Sequence, residues 1–283
     1  MKTRRLLEGK SSLVIGGSGG IGQVVAAHLA RQGSAVCIVG RNSRNVSVAL
    51  RALRAGADGD VKGMCCEIGD YRSVQRMIKR AVKVLGGLDI LVNAAGMQAP
   101  IGRFSDNRIE DWERNLQVNL LGTVYSCKAA LPYFEEQGSG SIINFSGGGA
   151  TSSRTNFSAY AVAKTGIVRF TEILAEELRD RKIRVNAIAP GAVNTRMLEE
   201  VLSSGKQAGE KELYEAKLRA KEGGVSANSA AELVVFLASR RSAGLTGKLI
   251  SAVWDPWKTW NRDSIRSIMA SEEYTLRRLS RPH

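Results

Sequence analysis

Short apolar runs alternate along the chain with longer stretches in which apolar residues recur every three or four positions. The runs are rich in Val, Ile and Leu at successive positions, as in strands covered on both faces. They predict seven strands, at residues 12–15, 35–39, 61–66, 89–93, 141–145, 184–188 and 248–253. The periodic stretches predict six helices, at residues 21–32, 45–55, 71–85, 111–133, 159–180 and 230–237.

This alternation predicts an α/β fold, with a doubly wound parallel sheet of about seven strands and helices on both faces. We expect a single domain over residues 1–253. The charged, helix-prone stretch 199–224 is predicted to be a lid-like insertion in that domain. Residues 254–283 carry three tryptophans and are predicted to form a C-terminal extension. The tryptophans would cover the pocket, contact a neighbouring subunit or simply pack the extension onto the domain.

The composition and charge of the chain indicate which kinds of partner it binds. The 283-residue chain is 43% hydrophobic and has a net charge of +14. Its basic residues are spread through predicted helices, without a basic tail or an RNA-binding motif, so we expect no nucleic-acid partner. No apolar run is long enough to span a bilayer, and we expect no membrane partner.

The cysteines indicate the compartment. The four cysteines form no CxxC pair and stand beside no histidine cluster, so we expect no metal site. Small buried thiols fit a reducing compartment. The N-terminal residues do not read as a signal peptide. The predicted location is therefore cytoplasmic.

The first predicted strand runs through a glycine-rich turn into the first predicted helix. Gly16, Gly20 and Gly22 have the spacing GxxxGxG, and Ser18, Gly19 and Ile21 complete the turn. Glycine allows a tight turn and a close approach of the backbone to a pyrophosphate, and the helix N-terminus offers free N–H groups. The strand–turn–helix context predicts a dinucleotide site in a Rossmann-type fold.

The end of the second predicted strand indicates which dinucleotide binds. NAD sites place a carboxylate here, to bond the ribose hydroxyls. This chain instead has Arg41 and Asn42 after Gly40. Because a guanidinium pairs with a phosphate in a forked geometry, the sequence favours NADP(H) over NAD(H).

Several motifs in order resemble those of the short-chain dehydrogenase/reductases, over roughly residues 10 to 253. They are GGSGGIG at 16–22, Glu67-Ile68, NAAG at 93–96, Asn119 in LQVNLLGT, INFS at 143–146, Tyr160-x-x-x-Lys164 and RVNAIAPGAVNT at 184–195. The resemblance implies an NAD(P)-dependent oxidoreductase that interconverts a secondary alcohol and a ketone.

The resemblance also implies a role for each matching residue. Tyr160 would be the general acid and base, with its pKa lowered by the Lys164 ammonium. Asn119 would kink its helix and bind a water that extends the proton path. Glu67 and Ile68 would meet the adenine, where the family more often has Asp-Val. The other implied cofactor residues are Asn93, Ala95 and Gly96 at the adenosine ribose, Lys164 at the nicotinamide ribose, and Pro190, Gly191, Val193 and Thr195 at the carboxamide and phosphates.

The chain departs from the family where a serine is expected to hydrogen-bond the substrate carbonyl. That serine usually stands thirteen residues before the tyrosine, which is Gly147 here. Ser146 is one residue away and, on a regular strand, would point to the opposite face. A bulge in the glycine triplet 147–149 would turn Ser146 into the site. We therefore expect Ser146 to be the functional serine, with Ser152, Ser153 and Ser158 as weaker candidates.

Two further expectations concern partners and alternatives. The family resemblance implies a homo-oligomer, a tetramer or a dimer, that pairs through helices 111–133 and 159–180. The substrate would be a small carbonyl or alcohol compound, and the basic balance favours an anionic one. The absence of a serine at Gly147 motivates an alternative function, a cofactor-binding regulator or scaffold with little or no turnover.

Overall fold

The computed structural model describes residues 5–56 and 60–278. Every predicted strand is present within these ranges, with ends within two residues of the predicted ones. The strands are β1 Ser11–Ile15, β2 Ala35–Gly40, β3 Val61–Cys65, β4 Ile90–Asn93, β5 Gly140–Phe145, β6 Ile183–Ala189 and β7 Leu249–Ser251.

The strands form one sheet in the order β3-β2-β1-β4-β5-β6-β7, and each neighbouring pair is parallel. The chain moves outward from β1 to β3 and then crosses back to place β4 beside β1. Loops leave the carboxyl ends of β1 and β4 in opposite directions at this switch point, which opens a crevice for a ligand. The predicted doubly wound fold is confirmed.

Helices cover both faces of the sheet. They are α1 Gly20–Arg31, α2 Ser43–Gly56, α3 Tyr71–Leu85, α4 Ile109–Leu116, α5 Gly122–Gln137, α6 Ser158–Glu177, α7 Arg196–Ser204, α8 Glu210–Glu222, α9 Ala227–Ala238 and α10 Arg262–Met269. The stretch predicted as one helix at 111–133 is α4 and α5, joined by a π-helical turn at Gln117–Leu121. Helices α7 and α8 account for most of the predicted insertion at 199–224.

The apolar core has one large cluster on each face of the sheet. The first contains Leu29 of α1 and Phe236 of α9, and the second contains Ile78 of α3 and Phe134 of α5. All four side chains are at most 1% exposed. Strands with apolar residues on both faces therefore bury both, as their continuous apolar pattern predicted.

The C-terminal segment packs onto the domain. The rings of Trp257 and Trp260 lie with their centroids 5.7 and 6.5 Å from that of Phe236, inside the first core cluster. Trp254 is 84% exposed. Two of the three tryptophans therefore hold the segment to its own domain rather than covering the crevice.

The same segment closes one edge of the sheet. Two backbone N–H groups of β7 point away from β6: that of Leu249 donates to the Tyr274 carbonyl (2.7 Å), and that of Ser251 donates to the Asp255 carboxylate (2.6 Å). An edge whose donors are satisfied is a poor template for another strand. Within the described ranges, no helix is both long and apolar enough to cross a bilayer.

Candidate active site

A cavity of about 680 Å³ lies at the switch point and runs from the end of β2 to the first turns of α6. Most of the residues predicted to bind the cofactor or to act in catalysis line it. They are Gly16, Ser18, Gly19, Gly20, Ile21, Gly22, Arg41, Asn42, Glu67, Ile68, Ala95, Gly96, Ser146, Tyr160, Lys164, Pro190 and Thr195.

The glycine turn between β1 and α1 is packed against backbone. Gly16 has a φ of 86°, and a Cβ there would lie 2.6 Å from the Ala95 nitrogen. A Cβ on Gly22 would overlap the Gly16 carbonyl oxygen. Side chains are therefore excluded at both positions, which leaves the turn free to approach a ligand closely.

The N-terminus of α1 faces this cavity. No side chain caps it among the described residues, and its first turn contains no acidic residue. Its free N–H groups and the positive end of the helix dipole are therefore available to an anion. The turn and the helix together fit the pyrophosphate of a dinucleotide.

The end of β2 presents basic and amide side chains to the same cavity. Arg41, Asn42 and Asn45 line it and are exposed. Gly40 is needed before them, because a Cβ at that position would overlap the hydroxyl of Ser18. Glu67 and the buried Ile68 stand at the adjoining part of the lining, after β3. No carboxylate stands at the end of β2 itself.

Three residues predicted to bind the cofactor lie beside the cavity rather than in its lining. Asn93 is buried at the end of β4, and its Nδ2 donates to the Asn144 side chain (2.9 Å). Gly191 and Val193 lie in the turn after β6, where the Val193 N–H donates to the Gly191 carbonyl (3.1 Å). Their positions shape the wall formed by Ala95, Gly96, Pro190 and Thr195.

Tyr160 and Lys164 lie one turn apart near the start of α6 and are 5% and 2% exposed. The Lys164 Nζ donates to the Phe145 carbonyl (2.9 Å) and lies 5.5 Å from the centroid of the Tyr160 ring. A Cβ on Gly96 would lie 2.7 Å from the Asn119 Oδ1 and 3.6 Å from the Lys164 Nζ. Gly96 therefore leaves a space that both polar groups reach.

Burial is the main cause of the pKa shifts of Tyr160 and Lys164. It raises the pKa of Tyr160 to about 12, against a smaller lowering by the Arg154 charge, while the Glu200 charge raises it further. Burial also lowers the pKa of Lys164 to about 8. The sequence predicted that the Lys164 ammonium lowers the pKa of Tyr160. The Arg154 charge is the one that lowers this pKa in the free protein, and the effect of Lys164 stays a prediction.

Asn119 lies at the centre of the π-helical turn and is fully buried. Its Nδ2 donates to the carbonyls of Met97 (2.8 Å) and Asn115 (3.1 Å), and its Oδ1 accepts the Met97 N–H (3.3 Å). Such turns interrupt helices at functional sites. Here the turn fixes the loop that follows β4 and aims Asn119 at Gly96.

Gly147 lies next to the Tyr160 hydroxyl. A Cβ on Gly147 would lie 2.6 Å from that oxygen, so the tyrosine occupies the space that a side chain at 147 would fill. The Ser146 N–H donates to the Ile188 carbonyl, and the Ser146 hydroxyl donates to the Lys164 carbonyl (3.1 Å). The structure therefore directs the Ser146 hydroxyl to α6.

Sequence reasoning missed Glu200, which lines the cavity, and the pair of Arg154 and Glu212, which lies outside the lining on the side of Tyr160. Glu200 of α7 accepts the Gln98 N–H (2.7 Å), and Arg154 pairs with Glu212 of α8. Arg154 stands six residues before Tyr160, which marks it as a neighbour of the site. Nothing in the sequence pairs it with Glu212, because 58 residues separate the two.

Comparisons with known proteins agree with this geometry. Residues 16–252 match the family model described as enoyl-(acyl carrier protein) reductase. Dehydrogenase/reductase SDR family member 4 of Sus scrofa is 34% identical over 250 residues, which are 88% of each chain.

Among solved structures, NAD⁺-bound xylitol dehydrogenase has a TM-score of 0.81 at 26% identity, covering 87% of this chain and 98% of its own. Actinorhodin polyketide ketoreductase with NADPH has a TM-score of 0.79 at 28% identity, covering 89% and 97%.

The fold, the cavity and these likenesses define an NAD(P)-dependent oxidoreductase. The chain belongs to the short-chain dehydrogenase/reductase family, as its motifs indicated. The prediction of an enzyme of this class is confirmed.

Proposed function

We propose that the protein is an NADP(H)-dependent oxidoreductase that interconverts a secondary alcohol and a ketone, with Tyr160 as the general acid and base. The observation that carries this proposal is the placement of the buried Tyr160 and Lys164 at one end of the cavity that begins at the glycine turn. A nicotinamide bound there supplies or accepts a hydride.

The chain's own residues handle the proton. The Tyr160 hydroxyl donates a proton to the carbonyl oxygen in reduction and accepts one from the alcohol in oxidation. Burial raises the pKa of Tyr160 to about 12, so the free protein holds this proton firmly. Positive charge beside the phenol is needed for it to act near neutral pH, and Lys164 is proposed to provide it together with a ribose contact.

Asn119 and Ser146 are proposed as supporting residues of this step. The Asn119 Oδ1 and the Lys164 Nζ both approach the space beside Gly96, which supports a proton path between them. The bond from the Ser146 hydroxyl to the Lys164 carbonyl supports a role in fixing α6. With Gly147 opposite the phenol, Tyr160 is the donor we assign to the substrate oxygen.

The preference for NADP(H) rests on the end of β2. The exposed Arg41 lines the cavity between Gly40 and Asn42, and a guanidinium there fits a 2′-phosphate better than a ribose diol. The relatives do not decide the matter, since one neighbouring structure carries NAD⁺ and the other NADPH.

The first experiment is a titration of the purified protein with NADPH and NADH, followed by nucleotide fluorescence, in wild type and Arg41→Ala. We expect NADPH to bind at least tenfold more tightly, and the variant to lose most of that difference. Arg44→Ala, at the next arginine along the chain, is the matched control and should keep the preference. Equal binding of both nucleotides by the wild type would refute the NADP preference.

The second experiment measures turnover with NADPH and a panel of ketones: diacetyl, a 3-ketoacyl thioester, a ketose and a cyclic diketone. Tyr160→Phe should lose roughly 10²–10⁴-fold in rate and still bind the nucleotide. Nucleotide binding without turnover on any ketone would favour the second candidate, a cofactor-binding regulator or scaffold. Gly147 is the observation that favours this candidate.

We propose a small carbonyl or alcohol substrate, and the basic balance favours an anionic one. Arg114 and Arg196 line the cavity, although Glu200 lines it as well and pairs with Arg196 at 3.8 Å. We also propose a cytoplasmic homo-oligomer that pairs through α4, α5 and α6. Light scattering that shows a monomer would refute the assembly.

A further inference from the structure

The loop that follows β5 brings Arg154 close to Tyr160. The missing side chain at Gly147 leaves space for the Tyr160 hydroxyl. A Cβ on Gly148 would be in ordinary contact with the Arg154 Nη1, at 4.0 Å, whereas Gly149 is required by its φ of 91° and by the Ala161 Cβ, which would lie 2.8 Å from a Cβ at 149. Arg154 therefore lies along this loop, beside the proposed catalytic tyrosine.

Arg154 is fixed on two sides. Its Nε and Nη2 donate to the two carboxylate oxygens of Glu212, at 2.7 and 2.8 Å, in a bidentate pair. Its guanidinium carbon lies 3.8 Å from the centroid of the Phe157 ring. The side chains of Arg154 and Glu212 are only 15% and 23% exposed, so the pair is poorly screened by solvent.

This fixed charge faces Tyr160. The guanidinium carbon lies 5.8 Å from the centroid of the Tyr160 ring, about as far as the Lys164 Nζ at 5.5 Å. Other charged groups stand nearby. Glu200 of α7 pairs with Arg196 of the same helix (3.8 Å), Arg114 of α4 lines the same cavity, and Glu212 of α8 acts through Arg154. A cation at this distance stabilises a phenolate over a phenol, and the Arg154 charge lowers the pKa of Tyr160.

We propose that Arg154, held by Glu212, is a positioning residue for Tyr160, and that its charge supports the ionised phenol in a site that has no serine at position 147. This inference rests on the proposed role of Tyr160. Glu212 holds the guanidinium in place and also neutralises part of its charge. Because Glu212 belongs to α8, the position of that helix sets how much positive charge Tyr160 experiences.

The test compares Arg154→Met with Glu212→Gln. Loss of the Arg154 charge should raise the apparent pKa of Tyr160 by about one unit. Glu212→Gln leaves the arginine stacked on Phe157 and removes the compensating charge, so the apparent pKa should fall. If the Arg154–Glu212 pair only held the loop to α8, both variants would break it and would shift the apparent pKa of Tyr160 in the same direction.

The readout is the ¹³C shift of the Tyr160 Cζ during a pH titration of ¹³C-tyrosine-labelled protein saturated with NADP⁺, whose positive nicotinamide lowers the midpoint into the range where the fold is stable. The signal is assigned by its loss in Tyr160→Phe. Arg154→Lys keeps the charge and should shift the midpoint less than Arg154→Met. The matched control pair is Lys258→Met and Glu232→Gln, a salt bridge of 2.7 Å that joins α9 to the C-terminal segment. Neither control should move the midpoint.

Opposite shifts in the two variants support the proposal. Shifts in the same direction, or no shift in either, overturn it. Where a ketone is turned over, the pH profile of kcat/KM should move with the midpoint. Opposite shifts in a protein that turns over no ketone would contradict the proposed function and leave the assignment of Arg154 standing.

Discussion

Two glycine-rich segments serve the same site, the turn 16–22 in the lining of the cavity and the triplet 147–149 beside Tyr160, and different contacts require glycine in each. In the turn 16–22, a Cβ on Gly16 or Gly22 would meet backbone atoms of Ala95 or Gly16. In the triplet, a Cβ on Gly147 would meet the free end of a side chain, the Tyr160 hydroxyl. Backbone that is tied into a sheet cannot give way, whereas a phenol can turn. The first segment is therefore a requirement of the fold, and the second is a requirement of the site.

The largest expected effect tests the first half of this comparison. Gly22→Ala should lower the free energy of unfolding by about 3 kcal/mol, because the added methyl overlaps the Gly16 carbonyl. Gly19→Ala is the matched control in the same turn, since a Cβ there has open space around it. Urea denaturation of both variants measures the difference. Equal midpoints would show that the turn adapts and that the comparison is wrong.

A smaller change in stability and a larger change in rate are expected at the triplet. Gly147→Ala should push the Tyr160 hydroxyl out of its place and lower kcat roughly 10²-fold on any ketone that the wild type reduces. The melting temperature should stay within about 2 °C of the wild type. Gly148→Ala, where a Cβ only approaches Arg154 at 4.0 Å, is the control and should keep most of the rate.

Lys164 is a second residue that the site requires and the fold does not. Its charge is buried, and this lowers the stability of the folded protein. Its lowered pKa of about 8 means that below pH 8 the folded state carries an ammonium that burial disfavours. Lys164→Met should therefore abolish turnover and stabilise the fold by about 2 kcal/mol at pH 7.

The gain from Lys164→Met should be fully present below pH 8. The gain should fade as the pH rises from 8 toward 10.5, the ordinary pKa of lysine. Over this range Lys164 of the wild type loses its proton on folding, and the free-energy cost of that loss decreases as the pH rises. Thermal melts at a series of pH values measure this. A gain that grows with pH would contradict the assigned direction of the pKa shift.

The smallest effect is expected at Ser146. Its hydroxyl bonds the Lys164 carbonyl, so Ser146→Ala should cost about 1 kcal/mol of stability and lower kcat/KM only a few-fold. Ser146→Thr keeps the hydroxyl and is the conservative partner. A loss of roughly 10²–10³-fold would instead make Ser146 the donor to the substrate carbonyl.

The sequence alone predicted where the proposed cofactor-binding residues lie in the fold. Gly16, Gly20 and Gly22 follow a strand and open a helix, and Arg41 follows the next strand, so local pattern alone placed them at one edge of a parallel sheet. Parallel sheets of this kind bind ligands at the switch point, and this rule predicted a ligand site between these segments.

The catalytic half depended on contacts between distant segments. Tyr160 and Lys164 were found because four residues along a helix bring them to one face. Arg154 of a loop pairs with Glu212 of a helix 58 residues later, and no periodic pattern in the sequence predicts such a contact. The packing of Trp257 on Phe236 was likewise one of several alternatives that the sequence left open.

The sequence by itself therefore determined the layered fold, the glycine turn and the tyrosine–lysine pair, because each depends on residues that are neighbours along one strand, turn or helix. Only the tertiary structure decided that the Ser146 hydroxyl bonds the Lys164 carbonyl, that Arg154 pairs with Glu212 beside Tyr160, and that the C-terminal segment closes the edge at β7. These features depend on which side chains meet across the fold, and a difference of one residue on a strand reverses the face to which a side chain points.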